Sequence, residues 1–243
     1  MRRRFSPKLW GLSLVVLASV AVAPTASGSV VGHLVVGNCA GGNVTVSSTL
    51  IDWAGGSPSG CLQVGGVTHI TSVGDGNMDS PPAIPNGTIN DLPSGLPGSG
   101  TIGFMSFTAG GLNLKFDLSP VNGFGTGIPT PCTSGMASGD SCSVPGSPFI
   151  LTSSGSGTSV TLPAFGTIFD FGDSKTSWWS GSFTTQINTL TPFQIQGIIQ
   201  GNGSVSSSFS GEFDVTDVPE PASMALIGAG LLLLAGGMRR KRT

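Results

Sequence analysis

In the stretch LNLKFDL, Leu112, Leu114, Phe116 and Leu118 alternate with Asn113, Lys115 and Asp117. Successive side chains of a strand project to opposite faces, so a period of two predicts a half-buried strand. In FQIQGII, Phe193, Ile195, Gly197 and Ile199 alternate with Gln194, Gln196 and Ile198, which predicts another. VSSSFSGEFDV sets Val205, Phe209, Phe213 and Val215 against Ser206, Ser208, Ser210, Glu212 and Asp214. Shorter apolar runs at 34–36, 44–46, 68–73, 102–107, 149–152, 160–162, 167–171 and 181–187 predict further strands.

These runs are separated by turn-forming clusters such as GNG, SPSG and SSGSG. Many short strands so punctuated, with no helical period between them, predict an all-β fold: an antiparallel β-sandwich or jelly roll in a single domain. A β-solenoid would need a repeat of fixed period, and none is found. One imperfect echo, NGTIND at 86–91 and FGTIFD at 165–170, fits two similar hairpins in opposed sheets. Composition agrees, since the 243 residues include 39 Gly and 17 Pro. Turns and extended segments must be frequent.

The two ends of the chain follow other rules. Arg2, Arg3 and Arg4 precede an apolar run at 9–23 and then the small residues Ala26, Ser27 and Gly28. This is the layout of a secretory signal, and the run falls short of the roughly 20 residues of a membrane span. We expect a signal peptide at 1–28, an exported domain at 29–217 and a separate C-terminal segment at 218–243. In that segment the apolar run 222–238 predicts a transmembrane helix, and Arg239, Arg240, Lys241 and Arg242 would hold its end in the cytoplasm. Pro219 and Pro221 fix the backbone around Glu220 in an extended form that a processing enzyme can grip.

Val218-Pro219-Glu220-Pro221, the apolar run and the basic cluster at 239–242 together resemble the PEP-CTERM sorting signal. The resemblance implies export by a Gram-negative bacterium and recognition by an exosortase, a membrane-embedded cysteine transpeptidase. It implies a transient inner-membrane anchor with the body in the periplasm. Cleavage near the Pro-Glu-Pro and transfer to the cell surface or extracellular matrix would follow. In that family the signal often accompanies exopolysaccharide production and biofilm or floc formation.

Charge narrows the partners. Between residues 9 and 238 there are two basic residues, Lys115 and Lys175, against all twelve acidic ones, a net charge of −10. A body so charged is repelled by phosphate backbones, which excludes nucleic acid. Cys39, Cys61, Cys132 and Cys142 form an even set suited to an oxidising compartment. Of three possible connectivities, Cys39 with Cys61 and Cys132 with Cys142 is expected, because each pair closes a local loop. Zinc is not expected, as no two-residue CxxC spacing occurs.

Candidate chemistry is sparse. His33 and His69 are the two histidines, no GxSxG motif accompanies them, and both are read as surface or strand residues. Glu212 and Asp214 share a strand face about 6.5–7 Å apart, a spacing compatible with a glycosidase pair. Asp75, Asn77 and Asp79 repeat oxygen ligands as a calcium loop does, but Ser80 and Asn86 stand where such a loop wants Gly and Glu. Trp178 and Trp179 are adjacent, so on a strand one faces the core and the other is available, with Trp53, to stack on a sugar ring. The expectation is a non-enzymatic surface or matrix protein, structural or adhesive in exopolysaccharide or biofilm. A carbohydrate-binding surface module is the alternative, and a hydrolase ranks below both.

Overall fold

A computed structural model of the chain describes residues 29–53, 59–72, 76–79, 86–93, 103–109, 112–119, 124–172, 175–217 and 230. The predicted signal peptide at 1–28 lies outside the described residues, as does the C-terminal segment at 218–243 apart from Gly230. Among the described residues no helix is long and apolar enough to cross a membrane. Residues 28–218 form one compact unit.

The first strands are β1 (Val30–Asn38), β2 (Val44–Ser47), β3 (Leu50–Trp53), β4 (Ser59–Val64), β5 (His69–Ser72) and β6 (Gly76–Asp79). They are followed by β7 (Asn86–Asn90), β8 (Leu92–Pro93), β9 (Met105–Ala109), β10 (Leu112–Leu118), β11 (Ser141–Cys142) and β12 (Ile150–Ser154). A long hairpin, β13 (Gly157–Asp170) and β14 (Lys175–Ile187), leads to helix α1 (Pro192–Gln200), then β15 (Ser204–Ser207) and β16 (Ser210–Thr216).

All pairings are antiparallel. One path runs β10-β9-β7-β4-β1-β16-β14-β13, and β13 pairs back onto β10, with Leu114 opposite Asp170 and Leu118 opposite Gly166. Eight strands thus close into a ring. The all-β, antiparallel expectation holds, but the sandwich is corrected to a barrel with a separate four-stranded sheet, β15-β2-β3-β8, packed against it. Closure removes the two free edges that a sandwich sheet would leave.

An eight-stranded barrel is just wide enough for side chains to fill. Here aliphatic residues such as Leu34, Leu62 and Leu114 surround an aromatic cluster. Trp179 stands at the centre, stacked at 6.5 Å on Phe104 and edge-on to Phe116 at 5.8 Å and Phe213 at 5.4 Å. Its indole Nε1 donates to Asp117 O and Thr167 O, both at 3.1 Å, and so ties β10 to β13 at the closing seam. Directly opposite Trp179 on β13 is Gly166. A Cβ there would lie 1.9 Å from Asp117 O, so glycine is what lets the seam close. Trp53 reaches from the small sheet to Phe183 (4.7 Å), Phe209 (5.0 Å) and Phe104 (6.0 Å), which joins the two sheets into one core.

A second, smaller core gathers Cys132, Cys142, Val144, Leu151, Val160 and Ile195. The hairpin β13–β14 spans both cores. Disulfides join Cys39 to Cys61 and Cys132 to Cys142, the expected pairing, across separations of 22 and 10 residues. The two GTI echoes fall on β7 and β13, where Ile89 and Ile168 are both fully buried in the barrel.

Two further sequence expectations change. The 193–199 run, expected as a strand, is helix α1. Thr191 caps it: its Oγ1 accepts from Gln194 N, and the Gln194 side chain accepts from Thr191 N, a full capping box with Pro192 at the first turn. Ile195 and Ile199 satisfy a period of four as well as a period of two, and the cap decides between them. Gln196 then grips Cys132, accepting from its N at 3.0 Å and donating to its O at 3.3 Å. Thr191→Ala should lower stability by about 1 kcal/mol, visible as a lower urea midpoint with an unchanged slope. The second change is at 205–215, where one alternating run is divided between β15 in the small sheet and β16 in the barrel. The chain crosses over at Phe209, whose N donates to Asn38 Oδ1 at 3.2 Å.

Candidate functional site

Because β13 and β14 alternate strictly, the barrel wall they form has a defined outer face. Along β13 the residues at every second position from Thr158 to Asp170 are buried, which turns Phe165, Thr167 and Phe169 outward. On β14, Ser177 and Trp179 are buried while Thr176, Trp178 and Ser180 are exposed. The adjacent tryptophans therefore divide as expected: Trp179 fills the barrel and Trp178 is 48% exposed.

Strand register places the neighbours of Trp178. Thr216 of β16 is opposite on one side and Thr167 of β13 on the other, with Asp117 of β10 beyond Thr167. Two positions along, Thr176, Phe169 and Lys115 form the next outward row, and Phe165 lies opposite Ser180 in the row on the other side. Phe171, 53% exposed, stands edge-on to Phe169 at 4.8 Å, and Lys115 Nζ lies 5.9 Å from its ring centre. Asp117 Oδ1 accepts from Gly103 N, which fixes that carboxylate. The result is an aromatic face edged by hydroxyls, with the Asp117 carboxylate and the Lys115 ammonium on one side and the exposed Asp214 carboxylate, opposite Ser180, on the other. Trp178 was legible in the sequence. Phe165, Phe169, Phe171 and the threonines were not singled out, because their shared face depends on register among β10, β13, β14 and β16.

A second cluster joins residues read separately from the sequence. His33 of β1 lies opposite Asp214 of β16. Its Nδ1 is 2.9 Å from Asp214 Oδ1 and its Nε2 is 3.2 Å from Glu212 Oε1. Both carboxylates are about three-quarters exposed on the convex wall. A glycosidase pair faces across a cleft with a sugar between, whereas these two sit on one strand and converge on one imidazole. His69 is opposite His33 on the far side, in β5, with Nε2 3.2 Å from Thr71 Oγ1. The arrangement gives a cross-strand clasp between β1 and β16.

The described part of the DGNMD segment, Gly76–Asp79, is strand β6, paired with β5, Asn77 opposite Thr71 and Asp79 opposite His69. Asp75, like the side chains of Asn77 and Asp79, lies outside the described residues. Among the described residues no group of three His, Cys, Asp or Glu is placed to hold a metal ion. Val218, Pro219, Glu220, Pro221, Arg239, Arg240, Lys241 and Arg242 also lie outside the described residues; the last described residue of the body is Asp217, one past the end of β16.

The PEP-CTERM protein-sorting motif matches residues 217–242. It begins where the barrel ends. The motif implies an exported protein, sorted by an exosortase to the cell envelope or surface. No curated protein and no solved structure matches the chain.

Proposed function

We propose that the barrel is a non-catalytic adhesive element of the extracellular polysaccharide or biofilm, delivered there by its sorting motif and holding glycan against the Trp178 face. The observation that carries this reading is the half-exposed Trp178 set between Thr167 and Thr216 on a filled, rigid barrel. The CH groups of a pyranose carry partial positive charge and favour the negative face of an indole ring. Hydroxyls on either side offer donors and acceptors to the sugar's own hydroxyls. Asp117 and Lys115, of opposite sign, border one side of the face, and Asp214, held by His33, borders the other. A soluble binding module without the matrix role would use the same face, so this reading contains the carbohydrate-binding alternative.

Catalysis finds less support. The paired acids are engaged by His33 on a convex surface, and among the described residues of the aromatic face no general acid and base oppose each other across a cleft.

Trp178→Ala tests the proposal. As a surface change it should alter stability by less than about 0.5 kcal/mol. Retention on the host's own exopolysaccharide, measured in a pull-down of the full chain, should fall about tenfold, as expected for loss of an aromatic anchor. Equal retention of the wild type and Trp178→Ala, or no retention of the wild type, would overturn the adhesive reading while leaving the sorting motif untouched.

A further inference from the structure

Both termini of the body leave from one end of the barrel. β1 begins at Val30 beside the end of β16, with Gly32 opposite Val215. Thr216, the last residue of β16, is opposite Trp178, and β14 runs three residues further out, to Lys175. At about 3.3 Å per residue, the β13–β14 hairpin projects roughly 10 Å beyond the end of β16. Five residues, Asp217 to Pro221, separate β16 from the apolar run that begins at Ala222. Fully extended, such a tether spans at most about 18 Å. Whatever surface receives the apolar run is therefore within reach of the hairpin.

The hairpin end displays an aromatic ring that a soluble body would not need there. Phe171, 53% exposed, is the most exposed aromatic among the described residues. Its backbone is fixed on both sides. Phe171 N donates to Asn113 O at 3.0 Å, and Oδ1 of the fully buried Asp170 accepts from Gly172 N at 3.0 Å and from Asn113 N at 3.3 Å. These bonds hold the ring outside the core, with Phe169 behind it at 4.8 Å. Lys115 and Lys175, the two basic residues between 9 and 238, both fall at this end, Lys115 opposite Phe169 and Lys175 at the start of β14. Asp117, in the next row, and Asp217 offset them, so the ring decides the partner rather than charge. An exposed aromatic beside an ammonium suits the boundary between lipid headgroups and acyl chains, where the ring enters and the amine stays at the level of the phosphates.

We infer that, while the tail is anchored, the tip of the β13–β14 hairpin rests on the lipid surface beside the anchor and seats Phe171 in its interface. The inference rests on 222–238 spanning the membrane and is independent of the glycan reading, since Trp178 lies one outward row further from the tip. The contact would set this end of the barrel down on the bilayer and keep Pro219–Pro221 at the lipid surface, where a membrane-embedded transpeptidase works. It would also be reversible. One ring is too weak to hold a protein on a bilayer without a second anchor, so loss of the tail frees the body.

The full chain is placed in phosphatidylcholine nanodiscs, with or without bromine high on one acyl chain, where it quenches an indole only at near contact. Phe171→Trp and Phe193→Trp each add an indole in place of an exposed ring, one at the hairpin tip and one in the first turn of α1, which follows the far end of β14. Subtracting the wild-type signal removes the four native tryptophans. The added emission of Phe171→Trp should fall about twofold or more in brominated discs, as expected for a side chain at the headgroup–acyl boundary, and that of Phe193→Trp should not change. Unquenched emission from Phe171→Trp, or equal quenching at both positions, would overturn the contact. A chain that does not co-elute with the discs would remove the anchor and the inference with it, leaving the glycan reading as it stands.

Discussion

Trp179→Ala is expected to destabilise the barrel by about 3–5 kcal/mol, the range for emptying a buried large aromatic. For a body of this size that is a fall in Tm of roughly 10–15 °C. The loss has two parts. The indole fills the space between Phe104, Phe116 and Phe213, and its N–H joins Asp117 O to Thr167 O across the closing seam. Trp179→Phe should recover part of the packing but none of the seam bond. Thermal melting of the oxidised full chain decides the matter, with Trp178→Ala as the neighbour that should melt with the wild type. Were Trp179→Ala to melt within about 2 °C of the wild type, the barrel would not depend on its central aromatic cluster, against the usual cost of such a deletion.

The second large effect concerns delivery. Replacing Pro219, Glu220 and Pro221 together by alanine is expected to leave the exported protein with its tail. Intact mass and fractionation from the native host should show the wild type without residues beyond the motif's start. The variant should be held almost entirely with membranes at its longer mass. A cut at Pro-Glu-Pro would leave the fold whole, because β16 ends at Thr216 and Asp217 is the first residue of the matched motif. Identical masses and fractions for the two proteins would reduce Pro-Glu-Pro to a spacer in front of an anchor.

Much of the barrel is written in local pattern. LNLKFDL alternates in sequence and alternates in burial along β10, and the two local cysteine loops close as their spacing suggests. What local pattern cannot carry is closure. Whether β13 returns to β10 depends on a register between residues some fifty apart and on the bare Gly166 that permits it, so a sandwich and a barrel look alike until the seam is seen. Pro163 hid the length of β13, since proline interrupts most ladders. Here it falls between the end of the β12 pairing at Thr161 and the start of the β10 pairing at Gly166, where its missing N–H costs that edge nothing.

The helix was masked for a different reason. Isoleucines spaced at four suit both a strand face and a helix face, and only the Thr191–Gln194 box separates the two. The candidate sites divide in the same way. That one of two adjacent tryptophans must face outward follows from strand geometry; which one does so is settled by Gly166 opposite Trp179. The meeting of His33 with Glu212 and Asp214 arises from contacts across most of the chain.

The place of β16 sets a timetable. It is the last strand among the described residues, yet it lies between β1 and β14, with His33 and Asp214 in contact across 181 residues. Until Thr216 is available the ring has a gap, and β1 waits with an uncovered edge. Such long-range pairings form slowly, in about milliseconds to seconds for β-rich topologies. A polypeptide crossing a membrane N-terminus first therefore cannot complete this barrel in transit. Its last ladder forms only when the residues just ahead of Pro219 have emerged, so the body becomes whole at the moment its tail comes within reach of the sorting enzyme.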